Sequence, residues 1–263
     1  MQPPKLYFST SNAKLDSRLI FSLPAGYTCP SAGHCKTFAD PISGKITDLP
    51  NNTNAMGPSY RCYAAMSEAI SSPCRKNRWH NFNTIKNLLY KTQLNDEQTP
   101  QKTIDVISNT LSFNINHYNF FNEYSLCRIH ESGDFWSELY FKAWLKTAKD
   151  NSHLKFYAYT KQLTFWINSQ NDIPDNMYLT ASAGGCLDGL LTRYAHIFKR
   201  IAYVVYRKQD AIEKGLPIDH DDSHCFGDKP FALLLHGSQR AKTEASKALA
   251  ERKNIGYNKK FKH

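Results

Sequence analysis

The residues best suited to chemistry lie in one short run, Arg128-Ile129-His130-Glu131-Ser132-Gly133-Asp134-Phe135, which reads as a strand entering a helix. Two further runs, Tyr159-Thr160-Lys161 and Ser182-Ala183-Gly184-Gly185, follow later strands in the same way. Parallel α/β folds place ligands at the carboxyl ends of their strands, so the three runs would converge on one face. Asp134 and Glu131 could then serve as nucleophile and general acid or base, with His130 as a further proton carrier and Lys161 steadying an anion. Ser132, Gly133, Phe135, Tyr159 and Ser182 would line the substrate. Gly184 and Gly185 would let a planar ligand or a phosphate come close to the backbone. Each residue also has a plain structural reading. An Asp before an amphipathic helix is a favoured N-cap. Glu131 could pair with a nearby cation, His130 could be a satisfied core histidine, Lys161 a surface lysine, and the glycine pair a helix-entry turn.

The seven cysteines form a second constellation. Cys29 and Cys35 flank a Pro-Ser-Ala-Gly-His loop, Cys62 follows after a long gap, and Cys225 stands in His224-Cys225-Phe226-Gly227. Loop cysteines can turn toward a metal without helix or strand geometry opposing them. Their spacing matches neither a zinc finger nor a simple ferredoxin. Cys127 and Cys186 read as core residues. An odd cysteine count without a signal peptide argues against a disulfide framework.

The elements that position these residues follow from periodicity. The first 60 residues are rich in Pro, Gly, Ser, Thr and Asn, with a short strand over 19–23 and a long irregular loop over 41–58. Helices are expected over 59–70, 81–94 and 103–120, those between 75 and 120 forming a helical insertion. Strand–helix alternation then begins. Strands are expected over 124–130, 154–159, 177–181, 201–206 and 231–235, and helices over 135–149, 163–168 and 239–252. Repeated strands separated by helices imply parallel pairing, in a single domain over 1–252. A complete or partial (β/α) barrel of TIM type is the first choice and an open sheet the second.

The chain has 263 residues and a net charge of +10, with hydrophobic residues at 41% and charged ones at 21%. This composition suits a folded chain, and the lack of a long apolar run points to a soluble cytoplasmic protein with no membrane association. The segment 239–263 carries Arg240, Lys242, Lys247, Arg252, Lys253, Lys259, Lys260 and Lys262 against only Glu244 and Glu251. Such a basic helix and tail (253–263) suits a phosphate backbone, where counterion release drives association. A solvated tail kept for solubility is the plain alternative.

Several blocks together resemble a known family. They are Phe21-Ser22-Leu23-Pro24, Thr28-Cys29-Pro30 with Gly33 and Cys35, Arg61-Cys62-Tyr63-Ala64, the 128–135 run, Phe156 to Lys161, Leu179 to Gly185, and His236-Gly237. In this order they resemble the phage gene product 88 proteins, over most of the chain. That family is similar to phage relatives of the queuine tRNA-ribosyltransferase barrel, the DNA 7-deazaguanine transglycosylases. The resemblance implies exchange of guanine in double-stranded DNA for a 7-deazaguanine base such as preQ0, in the host cell cytoplasm. A carboxylate would attack the sugar C1′ and the incoming base would displace it, with retention. Asp134 is the expected nucleophile, with Asp188 as an alternative, and Glu131, His130 or Lys161 would manage the proton. A flipped base requires a basic groove with aromatics, drawn from Arg75, Lys76, Arg78, Trp79 and the basic tail. The compact zinc motif of the tRNA enzymes is absent, so a zinc ion or iron–sulfur cluster would use Cys29, Cys35, Cys62 and Cys225. The segment between the second and third of these is longer than is usual in the family. Two other readings are a DNA-binding accessory protein with a structural metal, and an iron–sulfur enzyme of other, radical-type chemistry.

Overall fold

The computed structural model describes residues 2–10, 17–49, 55–93, 99–120 and 124–254. Chain order runs β1 (Phe8–Ser9), β2 (Leu19–Phe21), a hairpin of β3 (Thr37–Ala39) and β4 (Ile46–Asp48), then α1 (Tyr63–Ile70), α2 (Ser72–Gln93) and α3 (Pro100–Asn119). Alternation follows with β5 (Leu126–Ile129), α4 (Glu138–Asp150), β6 (Lys155–Thr160), α5 (Leu163–Asn168), β7 (Met177–Ser182) and α6 (Gly189–Arg193). β8 (Ile201–Val205), α7 (Lys208–Glu213), β9 (Phe231–Leu234) and α8 (Glu244–Asn254) complete it.

The fold is mixed α/β around one seven-stranded sheet of order β1-β2-β5-β6-β7-β8-β9. Only β1 runs antiparallel to its neighbour, and the other six strands are parallel. The sheet is open, with β1 and β9 at its edges, so the closed barrel expected from the alternation does not form. The strands nevertheless lie in sequence order, as a barrel would wind them.

The two faces of the sheet differ in kind. Cys127 and Ile129 of β5, Phe156 and Ala158 of β6, and Met177 and Leu179 of β7 point to the face covered by α3, α4 and α5. There Trp144, Tyr140, Phe135 and Phe141 are fully buried, each side chain contributing about 1.5–3 kcal/mol. On the other face stand Arg128, Tyr157, Tyr159 and Tyr178, closed below by residues 219–227 with Asp222, Cys225 and Phe226. Arg128 Nη1 meets Asp222 Oδ2 at 2.6 Å and Tyr157 donates to the same oxygen at 3.1 Å, so this buried pair is hydrogen-bonded as burial of charge requires.

Element boundaries depart from the expectations at several places. Residues 59–61 stay outside α1, where Tyr206 donates to the Ser59 carbonyl and the Arg61 N–H is taken by Gln239 Oε1 at 2.7 Å. That use of Gln239, with Lys242 at φ +65°, delays the last helix to Glu244. The second helix begins at Ser72 rather than 81, with Pro73 in its first turn. Within the loop expected over 41–58, the β3–β4 hairpin claims 46–48. Positions 50–54, Leu94 and the tail from 255 onward lie outside the described residues.

Candidate functional site at the carboxyl edge

The 130–135 junction leaves β5 by a tight path. His130 has φ +63° and Gly133 φ +88°. A Cβ on Gly133 would meet Thr28 Oγ1 at 2.6 Å and Leu23 Cβ at 2.7 Å, so glycine is required there on two counts. Asp134 then turns back toward the sheet. Its Oδ1 accepts from the Phe135 N–H at 2.8 Å and Thr160 Oγ1 at 2.6 Å, and its Oδ2 from the Lys161 N–H at 2.8 Å. The carboxylate therefore ties the end of β5 to the end of β6. Burial lifts its pKa from 3.8 to about 6, against the opposing pull of the Thr160, Lys161 and Phe135 donors.

The same logic continues along the edge. Lys161 Nζ donates to the Ser182 carbonyl at 3.0 Å, Ser182 Oγ at 2.9 Å and the Ala183 carbonyl at 2.6 Å, tying β6 to β7. Asp188 accepts from the N–H groups of Gly184 at 2.8 Å, Gly185 at 2.9 Å and Met56 at 2.6 Å. The close backbone approach expected of Gly184 and Gly185 is thus made by the chain itself. Ala32 bridges to Gly185, the His34 N–H reaches the Gly184 carbonyl at 3.1 Å, and the Cys186 N–H reaches the Ser31 carbonyl at 3.0 Å.

Several expected roles need correction. Asp134 is not a helix cap, because α4 starts at Glu138 and Ser137 caps it by accepting from the Tyr140 N–H. His130 faces the helix-covered side, 2.9 Å from the Tyr140 hydroxyl and packed against Phe21 and Phe135. Burial depresses its pKa to about 3, so it stays neutral. Phe135 is itself a fully buried core ring, which removes it from a substrate-binding surface. Glu131 pairs with Arg78 at 3.0 Å, and its backbone carbonyl accepts from the Tyr63 hydroxyl at 2.6 Å. Tyr159 stands on the opposite sheet face with Asp219 and Asp222. Ser132 Oγ donates to the buried Glu68.

The cysteines divide. Cys29, Cys35 and Cys62 are half-buried and form one neighbourhood, in which Asp134, Cys62 and Cys35 all raise the Cys29 thiol beyond the larger effect of burial. Burial and Cys35 push Cys62 up to about 12, while the Ala64 and Ala65 N–H groups at the head of α1 favour its thiolate. Tyr60 adjoins Cys35, Cys62 and Asp188, with its hydroxyl 4.0 Å from where a Gly184 Cβ would lie. Cys225 is not with them. It is buried against Tyr157, Ala202 and Phe231 on the other face, so the four-cysteine set does not assemble. Among the described residues no three Cys, His, Asp or Glu side chains already stand in position to hold a metal ion.

Arg75 and Arg78, expected to meet nucleic acid, are buried instead. Arg75 donates to the backbone carbonyls of Pro41, Ile42 and Glu68, and Arg78 to Ala64, Glu68 and Glu131. Lys76, Arg240 and Lys242 are exposed. Residue patterns alone missed Glu68, Tyr60 and Tyr63, although Tyr60 and Tyr63 flank the Arg61-Cys62 pair.

No solved structure matches the chain. The Gene 88 protein of Mycobacterium phage L5 is 29% identical over 122 residues, a match covering 46% of this chain and 47% of that protein. The chain thus aligns with about half the length of that relative. The family signature of Gene product 88 matches residues 5–253. The chain belongs to the gene product 88 family.

Proposed function

We propose that the protein is an enzyme acting at the carboxyl edge of its sheet, with a metal centre held by Cys29, Cys35 and Cys62 and a DNA base as substrate. The observation that carries this reading is the shared neighbourhood of three half-buried thiols, with Asp134 and Tyr60 beside them; the thiols would draw closer together to hold an ion. All-thiolate donors suit an iron–sulfur cluster or zinc, and three protein ligands leave a position for substrate. When bound, the centre would supply one-electron chemistry as a cluster or Lewis-acid chemistry as zinc. The chain's own residues would do the rest. The α1 N–H groups would steady the Cys62 thiolate, the Asp134 and Lys161 braces would fix the edge, and the sheet, wound in sequence order, would serve as an incomplete barrel. The net charge of +10 favours a nucleic-acid substrate. In this reading the enzyme works in the cytoplasm of an infected host cell. Among the described residues no helix is long and apolar enough to cross a membrane.

Exchange of guanine in DNA for a 7-deazaguanine remains the second reading. Asp134 favours it, being at the same edge and, with a pKa of about 6, ionised at neutral pH. Its oxygens are, however, already engaged by three donors.

Anaerobic purification with metal analysis and an optical spectrum tests the lead. Iron with sulfide and a brown colour mark a cluster, and colourless protein with bound zinc marks the ion. Cys29→Ala, Cys35→Ala and Cys62→Ala should each lose the metal while Cys225→Ala keeps it. Equal retention in all four would sink the assignment. Incorporation of labelled guanine into DNA, lost in Asp134→Asn, would instead establish base exchange.

A further inference from the structure

We propose that the half-exposed stripe of α2, extended by Tyr27 and Phe38, is a platform for single-stranded nucleic acid. The inference is independent of any metal, because it rests on charge and ring placement along one helix.

Helix α2 has 22 residues and contains no Asp or Glu, although it carries Arg75, Lys76, Arg78, Lys86 and Lys91. Surface helices ordinarily mix both signs, since pairs three or four residues apart stabilise them. Two of these cations, Arg75 and Arg78, are turned inward onto carbonyls and carboxylates. A different set borders the surface. Lys76, Trp79, Phe82, Lys86 and Tyr90 recur at spacings of three and four, so they share one side of the helix; Lys76 and Tyr90 are exposed, Trp79 and Lys86 are half-buried, and Phe82 rests one side of its ring on the core. Lys86 Nζ lies 5.8 Å from the Phe82 ring centre and 5.5 Å from that of Tyr90.

The rings run on beyond the helix. Tyr27 meets Trp79 and Phe38, each at 4.8 Å between ring centres. Trp79 meets Phe82 at 5.8 Å, and Phe82 meets Trp136 at 5.3 Å. The ends are open to solvent, with Tyr27 44% and Tyr90 49% exposed. Tyr27 also stands two residues before Cys29, and Phe38 three after Cys35, so the row ends at the cysteine neighbourhood.

Aromatic faces stack on bases of any sequence, and interleaved cations follow the phosphates. An acid-free helix offers phosphates nothing to repel them. Bases paired in a duplex hide their faces, so a row of rings selects the single strand. An acidic peptide would use the cations but would have no use for the ring series.

The test is titration of the full chain with a labelled oligonucleotide, as a single strand and as a duplex, at several salt concentrations. The single strand should bind more tightly. Tyr27→Ala and Tyr90→Ala, both at exposed rings, should each weaken it about fivefold or more. Lys76→Glu and Lys86→Glu should weaken it and flatten its salt dependence. Lys214→Glu, at the exposed residue just after α7, makes the same net-charge change and should stay within about twofold of wild type. Duplex binding as tight as single-strand binding overturns the proposal, as do stripe variants indistinguishable from Lys214→Glu. So does a dimer dissolved by Tyr90→Ala with oligonucleotide binding intact, which would give the face to a second copy of the chain.

Discussion

Asp134 shows how one side chain can satisfy a local rule in sequence and obey a distant one in the fold. It precedes an amphipathic run, as a cap would, but Thr160 and Lys161 lie 26 and 27 residues away and supply better donors. Capping passes to Ser137. Because the folded pKa stands at about 6, above the ordinary 3.8, folding favours the protonated carboxyl. That contribution is full below about pH 4 and is lost as pH rises through about 6. Stability should therefore fall across this window by at most about 3 kcal/mol. Asp134→Asn should abolish the slope. It should also cost about 1–3 kcal/mol at low pH, since an amide cannot accept from all three donors. Chemical denaturation at several pH values checks both outcomes, and a slope retained in the variant would assign it to another group. The thiols were legible by residue type alone, which is why Cys225 was grouped with the others. Only the alternation of side chains across β6, β7 and β9 separates it from them.

At the scale of elements, the buried carboxylate of Glu68 joins four segments. Its Oε1 accepts from the Ala25 N–H at 2.9 Å, Arg78 Nη1 at 3.0 Å and Ser132 Oγ at 3.3 Å. It thus sets α1 and α2 against the turn after β2 and the exit of β5. Glu68→Leu should leave Arg78 with Glu131 and the Ala64 carbonyl and lower stability by about 3–5 kcal/mol. Glu68→Leu with Arg78→Met should recover a large part of that loss, which thermal unfolding of both variants would show. Absence of any recovery would mean that Glu68 acts through Ala25 and Ser132 alone. This arrangement also explains which elements were legible. From residue 126 onward the apolar strands, α4 and α5 announce themselves, α5 to the residue, whereas the short α6 and α7 do not. The first half of α2 was not, because its inward face carries Arg75 and Arg78 and reads as solvated. The β3–β4 hairpin escaped because three-residue strands are too short for a period to register.

For the whole molecule, alternation implied a parallel α/β fold, but closure depends on whether the edge strands meet, and no local pattern encodes that. The cysteine turn is wedged between two strand exits, 23–28 against 130–134 and 31–34 against 184–186. A Cβ on Gly33 would meet the Gly184 carbonyl at 2.6 Å and Ala55 Cβ at 2.7 Å. Gly33→Ala should therefore cost about 1–3 kcal/mol and, at the proposed metal centre, would impair loading. Gly189→Ala, where nothing lies within 4 Å, should do neither. Unfolding curves and metal content measure this, and equal behaviour of the two variants would refute the wedge. The wedge also has a meaning in time. Cys29 and Cys35 are synthesised some 150 residues before the strand exit that seats their turn, at Gly184 and Gly185. Such a long-range contact forms late in folding. The nascent chain must therefore carry bare thiols until most of the sheet is paired, and a loaded site would certify a finished fold.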